Sequence, residues 1–343
     1  MFLSTRRRRP RRVLALGVDE RAIPVLAKVW DAQRSGLRLT AACPSAQALS
    51  WPGAPDLADV DAVLVSPARG KDEQDAIIRL AQESGKDVYL VPGLAEISLR
   101  CAGIRQLDDL PLLRVRPLGL SAPQLLVKRA FDLVVATALL VPALLVMGIV
   151  ATLVKATSIG PVLIRQERVG RGGRPFTMLK FRTMVHHAED DMGPVFCQAH
   201  DPRVTPLGHH LRALRLDEFP QLLNVLRGDM SLVGPRPERP PFVERFEKAL
   251  PDYHLRHLAP SGVTGLGQIA GRYGTRPEDK LLYDLLYIRH YSLVLDIHII
   301  LQTLKLVISA GAEHGLRDAA ELPEGLQKLI RDAGQDPAEK PDE

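Results

Sequence analysis

Four short charged clusters follow one another between Lys180 and Glu238. They are Lys180-Phe181-Arg182, Asp201-Pro202-Arg203, Asp217-Glu218-Phe219-Pro220-Gln221 and Gly234-Pro235-Arg236-Pro237-Glu238. Neighbouring side chains on a helical turn diverge by about 100°, so Asp217 and Glu218 cannot address one atom identically and suit two different roles. One carboxylate could attack phosphorus or bind a metal ion while the other handles a proton or supports the cation. A solvated acidic pair is the plain alternative; Phe219, Pro220, Leu222 and Leu223 argue against it by making the surroundings apolar. Arg236 stands between two prolines, a rigid frame for a guanidinium that can grip two phosphate oxygens at once, as a lysine cannot. Lys180, Arg182 and Arg203 would add neutralising charge. Gly265, Gly267 and Gly271 would let backbone amides approach an anion, with Arg272 directly after them. Displacement at phosphorus asks for charge neutralisation, in-line positioning and usually Mg²⁺, for which Asp217 and Glu218 are the candidate ligands. The chain has no Walker A motif, kinase signature, His-Glu-x-x-His helix or Gly-x-Ser-x-Gly elbow.

The elements that must position these groups fall into two blocks. From Val13 to about residue 120 short apolar runs alternate with helical patterns, as in Val13–Leu16, Leu37–Ala42, Ala62–Ser66 and Val88–Val91. This alternation predicts a small parallel α/β domain over residues 13–120. Gly17 is not followed by the further glycines of a dinucleotide fingerprint, and Asp19 would repel a pyrophosphate, so no nucleotide is expected there. Residues 121–315 form the second block, expected to be a mainly helical α/β domain. It opens with Lys128-Arg129-Ala130-Phe131-Asp132, followed by Leu133 to Val154 without a charge. A straight helix of that length would be roughly 33 Å long, enough to cross a bilayer. Pro142 falls near its middle and cations flank both ends, which favours a helix-break-helix hairpin entering and leaving one membrane face. A spanning helix and a proline-kinked core helix are the other readings. Tyr283, Tyr287 and Tyr291 share one helical face, suited to a lipid headgroup interface or to ordinary core packing.

Composition bounds the partners. The 343 residues are 46% hydrophobic and 25% charged, with net charge +5 and pI about 9.2. This excludes wholesale disorder and favours anionic partners. Six arginines in the arm 1–12 suit acidic lipid or plain solvation, and the acid-leaning tail 316–343 is expected to be largely mobile. Cys43, Cys101 and Cys197 form neither a disulfide framework nor a zinc spacing. Aromatic content of 5% and the lack of any nucleic-acid motif argue against nucleic acid.

In these motifs the chain resembles the bacterial sugar transferases, monotopic polyprenyl-phosphate phosphoglycosyltransferases, over about Lys128 to Gly315. The likeness rests on Lys128-Arg129-x-x-Asp132, Gly160-Pro161-Val162, Arg165-Gln166-Glu167-Arg168-Val169-Gly170 and Lys180-Phe181-Arg182-Thr183-Met184. It continues through Asp201-Pro202-Arg203, Asp217-Glu218 with Pro220-Gln221, Asn224, Met230 to Glu238, Gly265 with Gln268, and Gly271-Arg272. The resemblance implies transfer of a phosphosugar from a UDP-sugar to undecaprenyl phosphate with release of UMP, as the initiating step of exopolysaccharide, capsule or O-antigen-type glycan assembly. It implies Asp217 as nucleophile through an aspartyl-phosphosugar, Glu218 in proton handling or Mg²⁺ binding, and Arg236 and Arg272 on phosphate with Lys180 and Arg182 close by. Arg203, Glu238 and Gln268 join the substrate-binding set. It further implies a Rossmann-like module over residues 13–120, a re-entrant hairpin over 133–154 broken at Pro142, a place among the lipids of the cytoplasmic face of the bacterial inner membrane, and a possible homodimer. The chain departs from the family pattern at Gly267, where Trp is usual, at Phe219 for Leu, and at Arg215 for Ser or Thr. A non-catalytic membrane scaffold or regulator of polysaccharide synthesis is the competing reading.

Overall fold

The computed structural model describes residues 10–18, 22–31, 37–45, 55–65, 71–99, 102–107, 110–186, 188, 201–270 and 276–309. Two compact units divide them, the second beginning at Leu94.

In the first unit, β1 (Arg11–Leu16), β2 (Leu37–Cys43), β3 (Ala62–Val65) and β4 (Asp87–Leu90) form a parallel sheet in the order β2-β1-β3-β4. Helix α1 (Ile23–Asp31) links β1 to β2, and α2 (Lys71–Glu83) links β3 to β4. The strands read as continuous apolar runs because both sheet faces are covered. Val13 and Ala15 pack with Leu26 of α1, while Leu14 and Leu16 pack with Ile77 and Ala81 of α2. The expected parallel α/β layering is what the backbone builds.

The second unit starts with α3 (Leu94–Leu99) and the antiparallel pair β5 (Gly103–Leu107) and β6 (Leu110–Arg114). The strand-helix pattern of the sequence assigns these residues to the first domain, whereas their contacts join them to the second. Ile97 packs among Val169, Val243, Tyr253 and Leu285, and Arg289 donates to the Ser98 and Arg116 carbonyls. Helix α4 (Ala122–Thr157) follows, opened by Ser121, whose backbone N–H donates to Gln124 Oε1 at 2.9 Å. It is long and apolar enough to cross a membrane, with mean hydropathy 2.7 over its most apolar window. The segment expected as helix-break-helix is one continuous helix with Pro142 inside it.

Both flanks of α4 are embedded in this unit. Lys128 Nζ meets Asp296 Oδ2 at 2.6 Å, Arg129 donates to the Val225 and Leu226 carbonyls, and Asp132 Oδ1 accepts from Leu232 N. Toward the other end Val150 and Val154 pack with Phe181 and Leu211. Between the flanks Val134, Val141, Leu144, Leu145 and Ile149 are exposed.

The site rests on the remaining elements. These are the antiparallel ribbon β7 (Leu163–Val169) and β8 (Pro175–Phe181), α5 (Pro206–Ala213), the 3₁₀ turn Leu216–Glu218 and α6 (Gln221–Arg227). Beyond them lie β9 (Ser231–Val233), α7 (Pro240–Ala249), the 3₁₀ stretch Tyr253–Leu258, β10 (Gly262–Thr264), α8 (Leu266–Ala270), α9 (Pro277–Arg289) and α10 (Leu293–Ser309). β9 and β10 pair in parallel, and Gly234 and Gly262 pack backbone against backbone. A Cβ on Gly262 would lie 2.1 Å from Gly234 N, so no larger residue fits.

Candidate active site

Asp217 and Glu218 sit on the 3₁₀ turn between α5 and α6. Thr205 caps α5 by accepting from Gly208 N at 3.0 Å, with Pro206 in the first turn. The chain then turns at Arg215, whose φ of 54° makes it the only non-glycine residue with positive φ among the described residues. That left-handed conformation costs about 1–2 kcal/mol for a residue with a Cβ. It brings the Arg215 guanidinium to 3.6 Å from Glu218 Oε2. α6 is tied to β8 by the buried Asn224, which accepts from Leu179 N at 3.0 Å and donates to Thr177 O at 2.7 Å. The acids and Lys180 are thereby held on one scaffold.

The turn separates the two carboxylates. Glu218 is buried and Oε1 accepts from Arg236 Nη2 at 2.8 Å. Asp217 is half-buried. Burial and the neighbouring Glu218 charge push Asp217 up to about 6, against the pull of Lys180, Arg212 and Arg236. Burial would raise Glu218 as well, but Arg236, Lys180 and Arg215 overcome it and hold this carboxyl at about 2. Lys180 is lowered to about 8 by burial and by Arg236. Adjacent acids therefore titrate about four units apart, one permanently ionised and the other poised near neutrality.

The other residues singled out from sequence make contacts of their own. Arg203 grips its neighbour Asp201 through two nitrogens, Nε at 2.8 Å and Nη2 at 2.5 Å. Glu238 lies 3.5 Å from Arg168 Nη1. Arg182, buried, donates Nη2 to the Ser158 carbonyl and hydroxyl beyond the end of α4. Its Nε and Nη1 have no partner among the described residues. Gln268 donates to Val263 O at 3.3 Å, and its buried Oε1 has no partner among the described residues. Arg272 and Gly271 lie outside the described residues. Gly265 packs against the Gly234 carbonyl, where a Cβ would come within 2.2 Å, so close backbone packing accounts for this glycine.

Two buried networks were not singled out as functional from sequence. Arg256 pairs with Asp284, and Tyr287 donates to Asp296 Oδ1 at 2.8 Å beside Lys128. Both acids interrupt an otherwise apolar helical face, Asp284 among Leu281, Leu285 and Ile288 and Asp296 next to Leu295 and Ile299. A lone acid on such a face was the available signal.

Among the described residues no three His, Cys, Asp or Glu side chains converge as a metal site. Asp217 and Glu218 offer two carboxylates, and Glu218 already faces two guanidinium groups. That donor set fits Mg²⁺ where the ion takes one or two carboxylates and completes its shell with phosphate oxygens and water.

A poised carboxylate, an ionised partner and a rim of lysine and arginine suit group transfer on an anionic substrate. The chain belongs to the bacterial sugar transferase family, whose model matches residues 123–310. It is similar to the UDP-N-acetylgalactosamine-undecaprenyl-phosphate N-acetylgalactosaminephosphotransferase of Aeromonas hydrophila, 38% identical over 222 residues, covering 63% of this chain and 52% of that protein. It is also similar to the UDP-glucose:undecaprenyl-phosphate glucose-1-phosphate transferase of Xanthomonas campestris pv. campestris, 40% identical over 243 residues, covering 67% and 50%. A protein of the same description from Caulobacter vibrioides is 45% identical over 205 residues, covering 56% and 74%. The chain spans about half the length of the first two.

Proposed function

We propose that this protein transfers a sugar phosphate from a UDP-sugar to undecaprenyl phosphate at a membrane surface, the first committed step of a cell-surface glycan. The observation that carries this reading is the division of labour between Asp217 and Glu218. A carboxylate Oδ of Asp217 attacks the sugar-bearing phosphorus, the bond from that phosphorus to the bridging oxygen breaks, and UMP leaves with the electron pair. A phosphate oxygen of undecaprenyl phosphate then attacks the aspartyl-bound phosphorus, Asp217 departs as carboxylate, and the lipid carries the sugar diphosphate. Asp217 is ionised above about 6, so the nucleophile is present at neutral pH. Lys180 and Arg236 face the same acids and supply charge for the phosphates. Asp217 and Glu218 would hold Mg²⁺, whose chemistry there would be charge neutralisation. The relatives are named as undecaprenyl-phosphate transferases of N-acetylgalactosamine phosphate and of glucose 1-phosphate, which supports the substrate class and leaves the sugar open.

The packing of α4 supports attachment to one membrane face: Ala136 and Ala143 in its middle are buried in the same core, while Val134, Val141, Leu144, Leu145 and Ile149 there are exposed. Lys128 to Asp132 and Val150 to Ser158 are both bound into the unit that carries the site. A bilayer crossing between them would divide one packed unit across two aqueous faces. We read the exposed apolar middle as immersed from the cytoplasmic side and the first unit as a Rossmann-like module without nucleotide. The test is direct: purified protein in lipid nanodiscs with Mg²⁺, undecaprenyl phosphate and a panel of UDP-sugars releases UMP. With donor alone the protein gains the mass of one hexose or acetamidohexose phosphate, and Asp217→Asn loses both signals. Undiminished turnover by that variant would refute the covalent route.

A further inference from the structure

Beneath the Gly234–Glu238 segment lies an ion pair that touches neither carboxylate of the acidic pair. Arg256, on the 3₁₀ stretch Tyr253–Leu258, and Asp284, on α9, are both buried. Arg256 donates Nε and Nη2 to Asp284 Oδ2 at 2.9 and 2.7 Å. Nη2 also donates to the backbone carbonyl of Arg236 at 2.8 Å. Nη1 reaches the Tyr253 hydroxyl, and the guanidinium carbon lies 4.9 Å from that ring's centroid. Around Arg236, the Pro237 carbonyl accepts from Arg168 Nη1 at 3.0 Å, and three further positions are held by backbone hydrogen bonds. Gly234 N donates to Thr264 O at 2.9 Å, Gly262 N to Pro235 O at 3.0 Å, and Val169 N to Glu238 O at 2.9 Å. At Arg236 itself the holding group is a buried charged side chain.

Burying an ion pair is a poor way merely to fill a core, because apolar side chains of similar volume are often as stable or more so. What the pair adds is a charge-assisted, directional bond to one carbonyl. We propose that Arg256, oriented by Asp284, is a positioning residue: it fixes the Arg236 backbone so that the Arg236 guanidinium meets Glu218 and faces the incoming phosphates. This rests on the phosphosugar transfer proposed above. A shift of about 1 Å at a group that binds the reacting phosphate costs on the order of 100-fold in rate.

The decisive variant is R256M/D284L, which replaces the pair with apolar side chains and leaves no buried charge alone. It is expected to melt close to wild type. Its kcat for UMP release is expected to fall roughly 10–100-fold, its KM for the UDP-sugar to rise, and the acid limb of its rate profile to move to higher pH as the acids lose the attraction of Arg236. R256K and D284N, which keep polar groups in place, are expected to lie between wild type and the double variant, and they carry the test if the double variant does not fold. A folded double variant with wild-type kcat, KM and acid limb would reduce the pair to core packing. Wild-type protein that releases no UMP from any UDP-sugar would overturn the parent reading and this one with it; wild-type turnover with unaffected variants would overturn this one alone.

Discussion

Arg236→Met would expose how far one guanidinium sets the state of Glu218. The substitution keeps an unbranched side chain of moderate length and removes the cation at 2.8 Å. In the intact protein Glu218 is held at about 2, below its ordinary value of 4.5. A depressed carboxyl contributes stability that is complete above the unfolded pKa and is lost as pH falls through the folded one, here between about 4.5 and 2. A depression of this size corresponds to roughly 3 kcal/mol at neutral pH, and Glu218 is only 9% exposed, so solvent screens little of it. Arg236 is the largest of the opposing attractions; Lys180 and Arg215 remain in the variant. The variant should therefore be less stable by about 2 kcal/mol at pH 7.5, with the gap narrowing by about 1 kcal/mol at pH 2.5, where Glu218 is largely protonated in the variant and partly so in the wild type. Urea denaturation followed by far-ultraviolet circular dichroism in detergent, at both pH values, measures this. Arg236→Lys, which keeps the charge, serves as the control. A penalty equal at the two pH values, or absent at pH 7.5, would show that Arg236 does not hold Glu218 ionised.

Turnover should follow a bell in pH, falling below about 6 as Asp217 takes a proton and above about 8 as Lys180 loses one; kcat/KM for UMP release from pH 5 to 9 checks both limbs, and a flat profile across pH 6 would remove Asp217 as nucleophile. Lys128→Met would leave Asp296 buried without its cation and should destabilise the second unit by about 3–5 kcal/mol. Lys128→Met with Asp296→Leu should recover part of that loss in the same denaturation assay. Single cysteines at Gln124 and Ala156, flanking the apolar middle of α4, should both react with an impermeant maleimide from the cytoplasmic side of vesicles; labelling from opposite sides would establish a crossing helix.

What could be seen in the chain beforehand was local. The strands of the first unit announce themselves because a parallel sheet covered on both faces needs unbroken apolar runs, and Val13–Leu16 and Ala62–Val65 are such runs. The acidic pair and Arg236 stood out because proline and apolar neighbours surround charges that would otherwise be solvated. The structure does gather Lys180, Asp217, Glu218 and Arg236 into one electrostatic neighbourhood. What stayed hidden depends on chain segments far apart. Gly265 looked like part of an anion nest until the β9–β10 pairing set it against the Gly234 carbonyl. Periodicity left Tyr287 open between a headgroup interface and core packing; its hydroxyl, buried against Asp296 and the Val233 carbonyl, makes it core. Arg203 carried the same charge as Arg236, but Asp201 two residues earlier had already claimed it. Periodicity assigns a residue to a face without naming its partner across the core, and a buried arginine's role follows from that partner. Asp284 and Asp296 are the legible exceptions: a carboxylate on an apolar helical face must find a cation or a strong donor or be protonated, so each implies a counter-charge across the core.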